Sequence, residues 1–138
     1  MPERYLIDTS IWMDFYEDRV GLKGEPFGDY AFKFLLKIKV KEDRIIVNES
    51  LFRELEEKYS LEQINGLFKP FEKLIDKILA TKKQTDEALK LSMERNVPKA
   101  DALYAVIARD EKLTLITRDN HFKILQDLSN HNKPEDLI

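Results

Sequence analysis

Three times the chain passes through a short apolar run and halts on polar residues. Tyr5-Leu6-Ile7 stops at Asp8-Thr9-Ser10, Arg44-Ile45-Ile46-Val47 stops at Asn48, and Leu113-Thr114-Leu115-Ile116 stops at Thr117-Arg118-Asp119-Asn120. Runs so short and so rich in β-branched residues suit strands buried on both faces and are too brief for helices. The longer segments between them carry helical spacing. Ile11, Trp12, Met13, Phe15 and Tyr16 predict a first helix opening near Thr9 or Ser10. Phe32, Leu35, Leu36 and Val40 predict a second over Tyr30 to Val40, and Leu51, Phe52, Leu55 and Tyr59 a third capped by Asn48 or Ser50. Ser60 to Phe68 predicts a fourth, limited by Gly66 and Pro70. Thr81 to Gln84 has the form of a capping box for a helix through Leu89, Leu91 and Met93, ended by Asn96-Val97-Pro98. Ala100 to Asp110 is apolar nearly all round, as a central helix must be, and a last short helix is expected at Phe122 to Leu128. Phe71 to Thr81 reads equally as a helix or, over Lys77 to Ala80, as a short strand. Buried strands alternating with helices specify an α/β fold, a central parallel sheet flanked by helices in three α/β/α layers.

With 43% hydrophobic residues and no repeat or linker, the 138 residues are expected to form a single domain, 1–138. No apolar run approaches the roughly 18–20 residues of a membrane span. Met1-Pro2-Glu3-Arg4 lacks the basic segment and apolar stretch of a signal peptide, so a cytoplasmic location away from membranes is expected. Cysteine is absent, which removes disulfides, thiolate metal sites and cysteine nucleophiles together. The formal net charge of −3 does not suit a protein that grips long nucleic acid through its phosphates. If RNA is the substrate, contact must be local, and bound divalent cations would offset an acidic cleft. No Ser/His/Asp order, glycine-rich phosphate loop or His-x-Glu metal signature favours other chemistry.

In parallel α/β sheets, ligands collect beyond the carboxyl ends of the strands. Asp8 follows the first strand directly, Asp119 lies three residues past Ile116, and Asp101 opens the most apolar helix. Each can be read as a helix cap, since Asp is among the preferred capping residues. Capping does not explain why three of them should gather at one sheet edge. Carboxylates held close repel, and need a cation or a shared proton. The hard cations Mg²⁺ and Mn²⁺ take oxygen ligands, and they can acidify bound water and neutralise phosphate in an in-line displacement. Glu54 is a fourth candidate. On a helical wheel it falls just outside the apolar arc of Leu51, Phe52, Leu55 and Tyr59, so it can border the core and reach a cleft, whereas Glu57 faces solvent.

At these four places the sequence resembles the PIN-domain family, especially its VapC-type ribonuclease toxins. Tyr5-Leu6-Ile7-Asp8-Thr9-Ser10-Ile11-Trp12-Met13-Asp14-Phe15 resembles the family's opening motif, and Ser50 to Leu55, with Glu54, its second. Pro98-Lys99-Ala100-Asp101-Ala102-Leu103-Tyr104-Ala105 resembles the third, and Leu115-Ile116-Thr117-Arg118-Asp119-Asn120-His121-Phe122 the fourth. Gly66 to Thr85 carries no family signature. The resemblance implies a parallel sheet between helices and Mg²⁺- or Mn²⁺-dependent cleavage of single-stranded RNA by metal-activated water, leaving 5′-phosphate and 3′-hydroxyl ends. It implies that Asp8, Glu54, Asp101 and Asp119 bind the metal, with Thr9 or Ser10 and Thr117 ordering the turns. It also implies a small antitoxin as partner, and a homodimer built on the apolar surfaces of Tyr30 to Val40 and Leu51 to Tyr59. A housekeeping RNA-processing nuclease would carry the same carboxylates, and a non-catalytic binding module could keep the fold.

The neighbouring residues have plainer readings. His121 is expected as a partly exposed residue at a helix start rather than a ligand, and His131 as a surface residue of a polar tail. Asp14 reads as a solvated helix charge, with contact to a second metal as the other possibility. Arg118 could meet substrate phosphate or balance nearby carboxylates. Trp12 and Phe15 read as core or interface rather than base-stacking residues.

Overall fold

In the computed structural model, which describes all residues 1–138, the first apolar run forms β1 (Arg4–Ile7) and leads into α1 (Thr9–Glu17). Then come α2 (Phe27–Lys41), β2 (Arg44–Asn48), α3 (Glu49–Glu56) and α4 (Leu61–Phe68). The ambiguous stretch resolves into a 3-10 turn, Lys69–Leu74, and a strand, β3 (Ile75–Ile78). That strand begins two residues before the Lys77 to Ala80 alternative, because its Ile75 pairs with Ile45 of β2. The chain continues through α5 (Lys82–Arg95), α6 (Lys99–Glu111) and β4 (Thr114–Ile116), and ends with a two-residue strand, β5 (His131–Asn132).

All five strands are parallel, in the order β3-β2-β1-β4-β5. The period-2 alternation of strand side chains divides the core in two. Tyr5, Ile7, Ile45, Val47 and Ile116 point to one face, where they pack against α1 to α4. Leu6, Ile46 and Leu115 point to the other, covered by α5 and α6. This is the expected three-layer α/β/α arrangement. Trp12 is fully buried and meets the rings of Phe68 and Phe71 edge-on, at 4.7 and 6.0 Å between centroids. On the opposite face, every residue of α6 from Asp101 to Ala108 is buried, as its all-round apolar sequence requires. No helix is long and apolar enough to cross a membrane.

Local chemistry fixes the ends of the elements. The capping box of Thr81 and Gln84 is present, and Ser60 with Gln63 forms another. Asn96 ends α5 in the left-handed conformation (φ 54°) that asparagine tolerates. Gly28 sits against the end of α1, where a β-carbon would lie 2.5 Å from the Asp18 Cα, so only glycine permits this approach of α2 to α1. Three expectations are corrected. The N-cap of α1 is Asp8, not Thr9 or Ser10, because the Asp8 carboxylate takes the Thr9 amide. Gly66 lies inside α4 rather than limiting it. The segment after Asp119 forms a 3-10 turn, Asn120–Lys123, instead of a helix from Phe122 to Leu128.

Candidate active site

The strand order reverses around β1: the chain first builds outward through β2 to β3, then crosses over to lay β4 on the other side of β1. The carboxyl ends of β1 and β4 therefore flank the crevice where such sheets bind ligands. Asp8 is the first residue after β1, and its amide donates to Ile116 O at 2.9 Å, extending the ladder by one bond. Its carboxylate is held from three sides. Oδ1 accepts from the Thr9 amide at 2.8 Å, and Oδ2 accepts from Ser10 Oγ at 2.9 Å and Thr117 Oγ1 at 2.8 Å. Thr117 is fully buried, and its Oγ1 also accepts the Asp119 amide at 3.0 Å. One hydroxyl thus fixes the turn after β1 against the turn after β4. Ser10 and Thr117 hold Asp8 by their side chains, whereas Thr9 does so through its backbone; its own hydroxyl is buried without a hydrogen-bond partner.

Asp119 caps the 3-10 turn, with Oδ1 accepting the His121 amide at 2.9 Å. Asp101 caps nothing. It is the third residue of α6, whose N-cap is Pro98, so the capping reading fails for it. It is buried instead, with Oδ2 3.1 Å from His121 Nδ1, and that nitrogen is 2.9 Å from Asp119 Oδ1. Ligand atoms of Asp101, Asp119 and His121 all lie within 4.8 Å of one another. Asp8 stands outside this tight group but close enough for its charge to act on Asp101. Glu54 lies at the outer edge: half-buried on α3, it accepts from Tyr104 Oη at 2.6 Å, which fixes one of its oxygens.

The electrostatics follow from this crowding. Burial pushes the Asp8 carboxyl up to about 6, against the hydrogen bonds from Thr117 and Ser10 and with the charge of Glu54 adding to the rise. Burial and the charges of Asp8 and Asp119 push Asp101 up to about 7, against the attraction of His121. Desolvation is the largest single influence on the His121 imidazole and lowers it, but the charges and hydrogen bonds of Asp119 and Asp101 together outweigh it and raise the group. Burial and then the bond to Glu54 raise the Tyr104 hydroxyl. A cluster that resists ionisation is one that a cation would relieve.

The donor set fits a hard divalent ion. Metal–ligand bonds of about 2.1 Å place adjacent octahedral ligand atoms about 3.0 Å apart. The 2.9 and 3.1 Å separations from His121 Nδ1 to Asp119 and Asp101 have that size, but they are also those of hydrogen-bonded ion pairs, and only the neutral imidazole could serve as a ligand. His121 is the member of this cluster that sequence reasoning set aside. The signal lay in the Asp119-x-His121 spacing: in a capped turn, the residue two past the cap offers its amide to the cap carboxylate, and its ring is brought to the same side.

Other readings change with the structure. Asp14 is neither solvated nor beside the cluster; it is buried, 3.4 Å from Arg118 Nε and 3.9 Å from Arg19 Nη1. Burial raises its carboxyl in spite of both arginines. Arg118 is committed to balancing carboxylates, gripping Glu135 with two bonds of 2.7 and 2.8 Å while stacking 3.8 Å above the Phe27 ring. Trp12 is core, and Phe15 packs partly buried beside Phe32, as expected. His131 is not a surface tail residue but part of β5, half-buried, with Nδ1 lacking a partner.

Among solved structures the chain is similar to the VapBC2 complex of Rickettsia felis bound to a DNA fragment from its promoter. The TM-score is 0.67 at 20% identity, covering 94% of this chain and 98% of that one. It is also similar to a toxin–antitoxin complex from Klebsiella pneumoniae, with a TM-score of 0.61 at 17% identity and coverage of 94% and 97%. FitAcB from Neisseria gonorrhoeae gives a TM-score of 0.62 at 14% identity, with coverage of 96% and 99%. At these identities the likeness is one of fold. No curated protein sequence matches the chain. The family model described as the PIN domain matches residues 5–128, a span that begins in β1 and contains all four acidic positions, and the chain therefore belongs to the PIN-domain family.

Proposed function

We propose that the chain, as a single nuclease domain over 1–138, is a Mg²⁺- or Mn²⁺-dependent endoribonuclease that hydrolyses single-stranded RNA. The observation that carries this reading is the convergence of Asp8, Asp101 and Asp119 beyond β1 and β4, with two of the three carboxyls pushed up to about 6 and about 7. Structure-building alone does not require charges this crowded. Asp8, Glu54, Asp101 and Asp119 would hold the ion directly or through water, with His121 within reach of Asp101 and Asp119. Bound there, the ion supplies Lewis-acid chemistry, offsetting phosphate charge and acidifying water.

The chain's own residues do the rest. Thr9, Ser10 and Thr117 hold Asp8 in one orientation, so its free lone pairs face the crevice without rotamer loss at the moment of reaction. Tyr104 holds one oxygen of Glu54 and leaves the other to orient or deprotonate a water. In the reaction, water adds to phosphorus opposite the 3′-oxygen, the P–O3′ bond breaks, and the products are a 5′-phosphate and a 3′-hydroxyl.

The toxin role in a toxin–antitoxin pair rests on two supports. Similar structures are toxin–antitoxin complexes. In addition, α2 exposes Phe32, Leu36 and Val40, one turn apart on one stripe, which is apolar surface for a small antitoxin or a second copy of the chain. Its setting would be the cytoplasm. The test is cleavage of labelled RNA by purified protein in Mg²⁺, Mn²⁺ or EDTA, beside Asp8→Asn. Cutting that needs metal and disappears in the variant is expected. Intact RNA with both metals, across several sequences, would overturn catalysis and leave a binding module.

A further inference from the structure

A cleft of about 680 Å³ opens beside the acidic cluster, between the first turns of α3 and α6 and the residues that follow β3. Of the four acidic positions, only Glu54 lines it. Its floor is rich in hydrogen-bond donors. Asn48, the last residue of β2, is only 3% exposed and lies on the cleft wall. Its Oδ1 accepts the Ser50 amide at 2.8 Å, which leaves its amide nitrogen as a donor with no acceptor in the chain. Facing it is the start of α6, where Pro98 offers no capping side chain, so the amides of Lys99 and Ala100 have no capping acceptor. Two uncapped amides at the positive end of a 13-residue helix, together with a buried amide donor, form a seat for an anion.

Charge and shape narrow the occupant. Lys99 and Arg53 line this cleft together with the carboxylates of Glu49 and Glu54, so an arriving phosphate has to take the two cations from acidic neighbours. Arg53 is bound only to Glu49, at 3.3 Å, in an exposed pair that water screens and a phosphate can displace. The other wall is apolar. Leu79, 70% exposed, and the buried Leu103 both line the cleft and give it an apolar side on which a base can lie. A backbone phosphate with its base attached matches a donor-lined floor beside an apolar wall.

We propose that this cleft is the subsite for the nucleotide adjoining the scissile bond. Its phosphate sits on Asn48 Nδ2, the first amides of α6 and Lys99, Arg53 closes the rim, and the base lies against Leu79. The RNA identity of the ligand rests on the nuclease reading above. The site answers a problem set by composition, because a chain of net charge −3 attracts RNA poorly as a whole and needs a local grip.

The test is fluorescence anisotropy of a labelled 12-nucleotide single-stranded RNA with the full chain in Ca²⁺, over a range of salt, with the RNA checked for integrity. Lys99→Gln with Arg53→Gln alters two exposed side chains and is expected to raise Kd about tenfold. It also lowers the salt slope by about 1.4, at about 0.7 per phosphate contact for single strands. Asn48→Asp keeps the acceptor for Ser50, replaces the donor with a charge, and is expected to weaken RNA further. Mn²⁺ binding, followed by calorimetry, stays unchanged in the Lys99/Arg53 variant. RNA affinity and slope equal to wild type in all variants overturn the subsite, as does RNA affinity unchanged while a glutamate-rich peptide loses binding. Should the wild type cut RNA while the variants bind it normally, the subsite falls and the nuclease stands. Should the wild type fail to cut while the variants lose affinity as expected, the nuclease falls and the RNA site stands.

Discussion

Replacing Asp8 by Asn is expected to stabilise the metal-free protein while removing its response to metal. The sign follows from the raised carboxyl. A group whose folded value exceeds its unfolded one contributes stability that is present at low pH and lost as pH rises through the folded value. For Asp8 these values are 3.8 and about 6, so the penalty for ionising it is nearly absent at pH 4, grows between 4 and 6, and is complete by pH 7 to 8. The shift of about two units corresponds to about 3 kcal/mol at the plateau. Asn resembles the protonated acid in shape and charge. Its oxygen can still take the Thr9 amide, but its NH₂ meets the hydroxyls of Ser10 and Thr117, which must turn to accept. That rearrangement costs about 1 kcal/mol, leaving a net gain of about 2 kcal/mol.

For a chain of this size, about 2 kcal/mol raises Tm by about 5–10 °C. The assay is thermal unfolding in EDTA at pH 8 and pH 4, followed by pH 8 with excess Mn²⁺. Asp8→Asn should melt higher than wild type at pH 8 in EDTA, and the difference should shrink at pH 4, where wild-type Asp8 is neutral as well. With Mn²⁺ the order should reverse, because only the wild type gains from binding. A variant that melts lower than wild type by the same margin at both pH values would refute the argument, since it would show Asp8 acting as a cap and nothing more.

Two further outcomes follow from the same geometry. Because ligand carboxylates must be ionised, Mn²⁺ affinity should fall as pH is lowered through about 7 and about 6, the values of Asp101 and Asp8, and calorimetric titrations between pH 5.5 and 8 read this directly. Arg118→Met leaves Asp14 buried with only the 3.9 Å contact to Arg19 and should lose about 3 kcal/mol in urea unfolding, whereas adding Asp14→Leu should restore most of it; a double variant no better than the single would mean that the pair matters for packing rather than charge.

The fold was legible where local and tertiary signals agree. Ile45-Ile46-Val47 can bury on both faces only as a strand between covered layers, and the structure sends Ile45 and Val47 to one core and Ile46 to the other. The stretch Phe71 to Thr81 was illegible for a physical reason. Ile75 and Ile78 suit a helix by spacing, and what makes them a strand is pairing with Ile45 and Asn48, some 30 residues earlier. β5 has only two residues, and its identity rests on pairing with Leu115 and Ile116, so no periodicity could announce it. Likewise, nothing in the local sequence of Asp14 records that Arg118, delivered by β4 a hundred residues later, would stand beside it in the interior.

The site shows why capping and the proposed metal ligation are hard to separate in sequence, and why one does not exclude the other. Asp8 and Asp119 are caps in fact, each accepting an amide from the turn that follows it. A cap uses one lone pair of one oxygen and fixes the carboxylate's direction, leaving the rest of the group to face outward. A strand end that must turn into a helix therefore already holds an oriented carboxylate at its tip, and placing two such ends on adjacent parallel strands brings two of them together. Asp101 breaks the pattern. It caps nothing, lies buried in the first turn of α6, and has its charge opposed by Asp8 and Asp119. Of the three aspartates it is the one that accepts no capping amide; the first turn of a helix favours a carboxylate and His121 pairs with it, but neither requires it to be buried against two other aspartates, and that crowding is what supports the proposed cation site.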